Sequence, residues 1–288
     1  MMKIAVVGSI NTDLLYRVHK APLKGETVFG EDYQILNGGK GSNQCVLLSA
    51  LEKDVKFLGA VGRDVFGMKS LEYLATLGLD QDVLVKETNT GLAVIQLSEK
   101  DNAITVMKGA NEEITIDDVN LFFNNNPGIE LLLCQLEVRL ETILYALEKA
   151  KEKGIQIILN PAPAHKLDGN IIEKVDYLIP NEIEAQLMFE TDNLEDIVEH
   201  YKGKVIITLG DKGVMYFDEG IVKIEPAQKI EVVDTTGAGD SFIAGFTSGI
   251  AKNLRVKEAI QKGIKIASIT CQHMGAQSAY KKIKDTKE

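Results

Sequence analysis

The chain has no tryptophan, three cysteines and four histidines in 288 residues. Each scarcity removes a class of protein. Cys45, Cys134 and Cys271 are odd in number and widely spaced, so they give no disulfide framework. They read as small buried hydrophobes in a reducing cytoplasm. The scattered histidines lack paired-ligand spacing, so no zinc site is expected. Basic residues are outnumbered, 32 to 42, and no dense Lys/Arg block precedes the last few positions. A net charge of −10 therefore argues against nucleic acid as a partner. No apolar run approaches membrane-spanning length, so no membrane partner is expected. The N-terminal Met-Met-Lys-Ile-Ala-Val-Val-Gly reads as a short strand and lacks the length of a signal-peptide core. Without tryptophan, nothing favours stacking on a nucleobase substrate.

Two familiar glycine fingerprints are also missing. Gly8 is not followed by the two further glycines of a dinucleotide-binding turn. Lys40 is followed by glycine and not by Ser or Thr, so Asn37 to Gln44 is not a Walker A loop.

What is there centres on Val232 to Gly245. An apolar run, Ile230 to Val233, ends at Asp234; Thr235, Thr236 and the turn Gly237-Ala238-Gly239 follow. Then come Asp240 and a helical pattern from Ser241 to Ala251. Exposed N–H groups at a helix start attract anions. A carboxylate beside them can take a proton from an attacking hydroxyl, and the amides can hold developing phosphoryl charge. Asp240 as a plain helix cap is the competing reading.

The rest of the chain alternates strands and helices, which argues for an α/β protein with a mostly parallel sheet covered on both faces. Strands are expected at Lys3 to Val7, Val55 to Val61, Leu131 to Leu136, Ile155 to Leu159, Tyr177 to Ile179 and Val205 to Leu209. Polar residues sit just past strand ends at 11/13, 137, 160, 181/184, 208–213 and 234–240, and together they describe a cleft. Each has a bland alternative: an Asx turn for Asn11 or Asp13, a solvated Lys40, solvated helix-end charges for Glu137 and Glu184, a plain turn at Gly210 and Gly213. Residues 14–36 lack a helical period; with a hairpin of Thr90 to Leu97 and Ala103 to Met107 around Ser98–Asn102 they suit one small sheet. The expected organisation is a body of 1–10, 37–89 and 109–288 with a discontinuous β lid of 11–36 and 90–108.

With these residues in view, the chain resembles the ribokinase (PfkB) family of sugar and nucleoside kinases. The resemblance rests on Gly8 to Asp13, Gly25-Glu26-Thr27, Asn37 to Gln44, Asn160 to Ala164, Pro180-Asn181-Glu182 and Asp234 to Asp240. It implies a three-layer αβα fold with a small β-sheet lid. It implies Asp240 as general base and Gly237, Ala238 and Gly239 as an anion hole. Asn11, Asp13, Gly39, Lys40, Gly41, Asn43 and Glu137 would hold the sugar. Asn181, Glu184, Thr208, Gly210, Asp211 and Gly213, with Gly239, would serve ATP and the magnesium-water shell. A monovalent cation, potassium, would sit by Asp234, Thr236, Thr270, His273 and Gly275. Gly275 to Ala279 departs from the family's proline–serine pattern, so the serine ligand is shifted or missing. Ile264 stands where relatives place a polar adenine neighbour. A homodimer through the lid is also implied.

The expected activity is ATP-dependent phosphorylation of O5 of D-ribose. The alternatives are a sibling kinase for fructose, another ketose, adenosine or pseudouridine, or a non-catalytic sugar-binding regulator. A dinucleotide oxidoreductase is disfavoured by the missing glycines.

Overall fold

The structure is a computed structural model and describes residues 2–98, 102–166 and 169–285. The tip of the expected hairpin, Glu99 to Asp101, lies outside the described residues.

Strand β1 (Lys3–Val7) runs straight into β2 (Asn11–Val18), and β3 (Gly30–Gly38) folds back beside it. Then come α1 (Lys40–Leu51), β4 (Val55–Gly62), α2 (Val65–Thr76) and β5 (Val83–Lys86). β6 (Gly91–Leu97) and β7 (Asn102–Met107) form an antiparallel pair. A short 3-10 turn precedes α3 (Ile116–Asn125), whose first turn is fixed by a capping box between Thr115 and Asp118. β8 (Ile129–Cys134), α4 (Leu140–Glu152), β9 (Gln156–Leu159), α5 (Gly169–Lys174) and β10 (Tyr177–Leu178) continue the alternation. α6 (Glu182–Phe189) and α7 (Leu194–His200) lead to β11 (Ile207–Thr208), β12 (Val214–Asp218) and β13 (Ile221–Glu225). The chain closes with α8 (Ala238–Ala251), α9 (Val256–Thr270) and α10 (Tyr280–Asp285).

The central sheet has the order β10-β9-β8-β1-β4-β5, and every neighbouring pair is parallel. Its strands are near-continuous apolar runs because both faces are covered. Ala5 and Val7 enter one core, with Val119 and Phe122 of α3 and Ile143 and Leu147 of α4. Ile4 and Val6 point the other way, into a core with Val46 and Leu47 of α1, Phe246 of α8 and Ile260 of α9. Two cores on one sheet are the three layers. Each fully buried Val, Leu, Ile or Phe among them stabilises the fold by roughly 1.5–3 kcal/mol.

A second sheet, β3-β2-β6-β7, is built from the two segments expected to join. β2 and β6 pair in parallel, and the outer pairs are antiparallel. β2 begins at Asn11, just past β1, and β3 ends at Gly38, just before α1, so the turn at Gly8 to Ile10 and the turn at Gly39 lie where this sheet meets the body.

Most expected strand ends shift by a residue or two, and three shifts have a visible cause. β8 ends at Cys134, because the chain turns after it and Leu136 N–H bonds to Ala162 O. Val205 to Leu209 yields only the two-residue β11, which pairs antiparallel with β12; isolated parallel bridges join Val205 to Leu178 of β10 and Thr208 to Asn181 just beyond it. α8 begins at Ala238 and not at Ser241, since Ser241 N–H already donates to Gly237 O.

Candidate active site

Parallel strands point their C-terminal ends the same way, so the loops after β1, β8, β9 and β10 gather at one edge. The N-termini of α1 and α8 face into the same place.

Asp240 lies in the first turn of α8 and is buried. It does not cap the helix. Its Oδ2 accepts from Asn43 Nδ2 and its Oδ1 from Gln44 Nε2, both at 2.9 Å. Asn43 and Gln44 are neighbours in α1, and the carboxylate is held between their two amides.

Glu137 is not a solvated charge. Its Oε2 accepts from Lys40 N–H at 3.0 Å and from Ser9 Oγ at 2.5 Å, and Gly41 N–H donates to Ser9 Oγ. The carboxylate thus occupies the positive end of α1. Gly39 caps that helix at φ 88°, a left-handed conformation that suits glycine. Asn11 is buried, and its Oδ1 accepts from Asn111 Nδ2, so its own Nδ2 faces the other way.

Four acids and one cation lie close enough here to feel one another's charge. Burial pushes the Asp13 carboxyl up to about 7, helped by the nearby Glu137 and Asp240 charges and opposed by Lys40. Burial alone would lower the Lys40 ammonium; Asp240, Glu137, Glu184 and Asp13 outweigh it and raise Lys40 above its ordinary value. Burial also raises Glu184, against the Asn181 hydrogen bond and Lys40. Glu184 and Asn181 form a capping box: Glu184 N–H donates to Asn181 Oδ1, and Asn181 N–H to Glu184 Oε2. The helix-end reading of Glu184 is therefore partly right, yet the residue is buried and lines the cleft.

That cleft, about 220 Å³, has Lys40, Asn160, Asn181, Glu184, Thr208, Thr235 and Gly237 to Asp240 in its wall. It opens into a second space of about 790 Å³, lined by Gly210, Asp211, Gly213, Val214, Phe242, Ile264, Ala267 and Cys271. The first space is polar at its base; the second has long apolar walls.

At the mouth between them stands the N-terminus of α8. Gly237 is its N-cap at φ 75°, and no side chain caps it. Ala238 N–H is used within the turn, donating to Thr235 O at 3.1 Å. Gly237, Gly239 and Asp240 N–H have no protein acceptor among the described residues. Of the three amides expected to form an anion hole, that of Ala238 is thus engaged within the turn, and those of Gly237 and Gly239 are not.

A family model described as the pfkB family carbohydrate kinase matches residues 1–283. The chain belongs to the PfkB family. It is 38% identical over 289 residues to a ribokinase of Lactococcus lactis, covering 100% of this chain and 96% of that protein. It is 33% identical to a deoxyribokinase of Salmonella typhi, covering 100% of this chain and 98% of that one. Among solved structures, the ribokinase of Thermotoga maritima superposes with a TM-score of 0.89 at 31% identity, covering 99% of both chains. The protein is a PfkB carbohydrate kinase, a phosphotransferase with an alcohol acceptor, in the ribokinase-like three-layer fold.

Several of the positions expected to hold a monovalent cation are linked by hydrogen bonds. Asp234 Oδ1 accepts from Thr236 N–H and Oγ1, and its Oδ2 from Gly275 N–H at 2.8 Å. Burial works against ionisation of Asp234, but these bonds prevail and hold it below the usual carboxylate range. Thr270 accepts at its Oγ1 from Ser241 and at its carbonyl from His273 N–H. Ser278 Oγ donates to Gly275 O, so that serine is tied to one of the expected carbonyls. Among the described residues no three His, Cys, Asp or Glu side chains cluster as a metal cage.

Sequence reasoning about the family site missed several polar residues. Gln44, Gln135, Asn111 and Gln277 all have side-chain bonds into the Asp240 or Asn11 surroundings. Gln44 was adjacent to a recognised residue, but successive helix positions point about 100° apart, so adjacency alone did not place it in the site. Cys45 and Cys134 are buried as expected, whereas Cys271 is half-buried and lines the larger cleft.

Proposed function

We propose that the protein phosphorylates O5 of D-ribose with ATP. The observation that carries this is the position of Asp240. Its carboxylate is held by Asn43 and Gln44 beside free amides of a helix start, at the floor of a polar cleft that widens into an apolar one. Sugar fits the polar end: Asn11 presents Nδ2, Asp13 and Glu137 accept hydroxyl protons, and Lys40 and Asn43 donate. Adenine suits the apolar walls, with Ile264 offering no hydrogen bond, and the phosphates run past Asn181 and Thr208 to α8. Asp240 takes the proton of the attacking hydroxyl while the amides of Gly237, Gly239 and Asp240 hold the transferring group's charge. Fixing both reactants in line supplies much of the acceleration.

The acids here fit magnesium as a hydrated ion carried on the nucleotide, because the described residues offer no closed carboxylate cage. Glu184 and Asn181 would meet its water shell; when bound, it neutralises phosphate charge. Asp234 and the carbonyls near Thr236, Thr270, His273 and Gly275 supply hard oxygen donors that fit potassium. Asp234 also joins the Thr236 and Gly275 backbone directly.

The β3-β2-β6-β7 sheet acts as a lid over the sugar. Tyr33, Ile35, Ile104 and Val106 on it are exposed, which fits pairing with a second copy into a homodimer. A monomer by light scattering at micromolar concentration contradicts that part. Free cysteines suit a reducing, cytoplasmic setting.

A deoxyribose acceptor is the second reading, favoured by the 33% identical deoxyribokinase. ADP release across a panel of pentoses, hexoses and nucleosides, with and without potassium, decides between them. D-ribose should give the highest kcat/KM. A preference for 2-deoxyribose or a nucleoside overturns the substrate assignment.

A further inference from the structure

The two amides that hold Asp240 are themselves held. Gln44 Oε1 accepts from Gln135 Nε2 at 2.6 Å, and Asn43 Oδ1 accepts from Gln277 Nε2 at 2.8 Å. A carboxylate offers only acceptors, so each inner amide must turn its NH2 inward and its oxygen outward. Each outer amide must then present NH2 as well. Polarity therefore runs one way along both arms, from Gln135 through Gln44 to Oδ1 and from Gln277 through Asn43 to Oδ2. The outer ends carry the consequence: Gln135 Oε1 and Gln277 Oε1 are buried without a hydrogen-bond partner among the described residues. Buried oxygens are rarely left so. Asn160 adds a brake, since its Nδ2 donates to Ile179 O and its Oδ1 accepts from the same Gln44 Nε2.

Resting on Asp240 as the base, we infer that Gln44, Gln135 and Gln277 are positioning residues: two amide relays lock both carboxylate oxygens in the orientation that accepts the sugar proton. None of the three glutamines lines the cleft. Without the outer amide, the inner one can rotate by half a turn and set its oxygen against the carboxylate.

The test uses the full-length enzyme and the variants Gln44→Met, Gln135→Met and their combination. Calorimetric sugar stoichiometry sets the fraction of competent sites. Each single change should lower kcat about tenfold with sugar KM little changed, and the double should lose no more than either single, because one relay acts as a unit. Gln277→Met should lower kcat and raise sugar KM together, since Asn43 also faces the sugar. Wild-type kcat in the single variants, or losses that multiply in the double, overturns the inference. Should Gln135→Met not fold, Gln277→Met carries the test. In the wild-type protein itself, the Asn43 and Gln44 side-chain amide protons should exchange slowly by NMR. Exchange at the rate of exposed amides overturns the relays. A wild-type protein that releases no ADP with any sugar instead defeats the kinase-substrate reading, and the exchange rates still decide the relays.

Discussion

Asn111 and Asn11 are joined by a 2.8 Å hydrogen bond from Nδ2 to Oδ1. Asn111 also accepts from Ile10 N–H and donates to Ile10 O, so one buried side chain fixes the whole turn after β1. Asn111→Ala would leave Asn11 Oδ1 and two Ile10 backbone groups unpaired, at about 1–3 kcal/mol for each buried group not rescued by water. Sugar KM should rise about tenfold or more, with a smaller change in kcat. Steady-state kinetics at saturating ATP check this.

Asp13 makes sugar binding and stability depend on pH in opposite senses. Its carboxyl is raised to about 7 from 3.8, so the folded protein holds a proton that the unfolded chain has lost. Ligand-free stability should therefore fall as pH rises from about 4 to about 7 and level off above. A sugar hydroxyl donating to the ionised form favours that form, so sugar Kd should tighten from pH 6 to pH 8. Asp13→Asn should flatten the stability slope, seen as a shift of roughly 2–4 °C in Tm per kcal/mol relieved, and weaken sugar binding.

The Lys40 ammonium opposes the rise of Asp13, and it also meets Asp240, Glu137 and Glu184. Lys40→Met leaves these acids uncompensated. The variant should lose about 100-fold in kcat/KM and be less stable at pH 8 than at pH 5, relative to wild type. Thermal melts at the two pH values check the sign.

Gly237→Ala should separate sugar binding from transfer. A Cβ there would lie 2.3 Å from Ala276 Cβ, at a φ of +75°. The N-terminus of α8 must shift, so kcat should drop at least about 100-fold while sugar binding by calorimetry persists.

How much of this was legible depends on what a residue type can mean by itself. Gly39 and Gly237 announce helix starts because a glycine there has mainly backbone reasons to exist. Strand ends were legible because β1, β9 and β10 are apolar runs with abrupt polar stops. Asn111, Gln135 and Gln277 were not, because a buried amide looks like any loop or helix amide until the fold supplies its partner. Gln277 finds Asn43 across 234 positions. Asp240 was legible as an acid near a helix start, but its partners came from α1, and only tertiary structure shows that it is no cap. β11 was overestimated because Val205 to Leu209 is buried and apolar throughout its first three residues, a pattern that does not show pairing.

The most direct measurement is single-turnover phosphate transfer by Asp240→Asn, with sugar affinity measured on the same preparation. Asn keeps the size of the side chain and loses the base. Transfer should fall by about 10²–10⁴ or more while sugar still binds within a few-fold of wild type. Transfer near the wild-type rate would contradict the account.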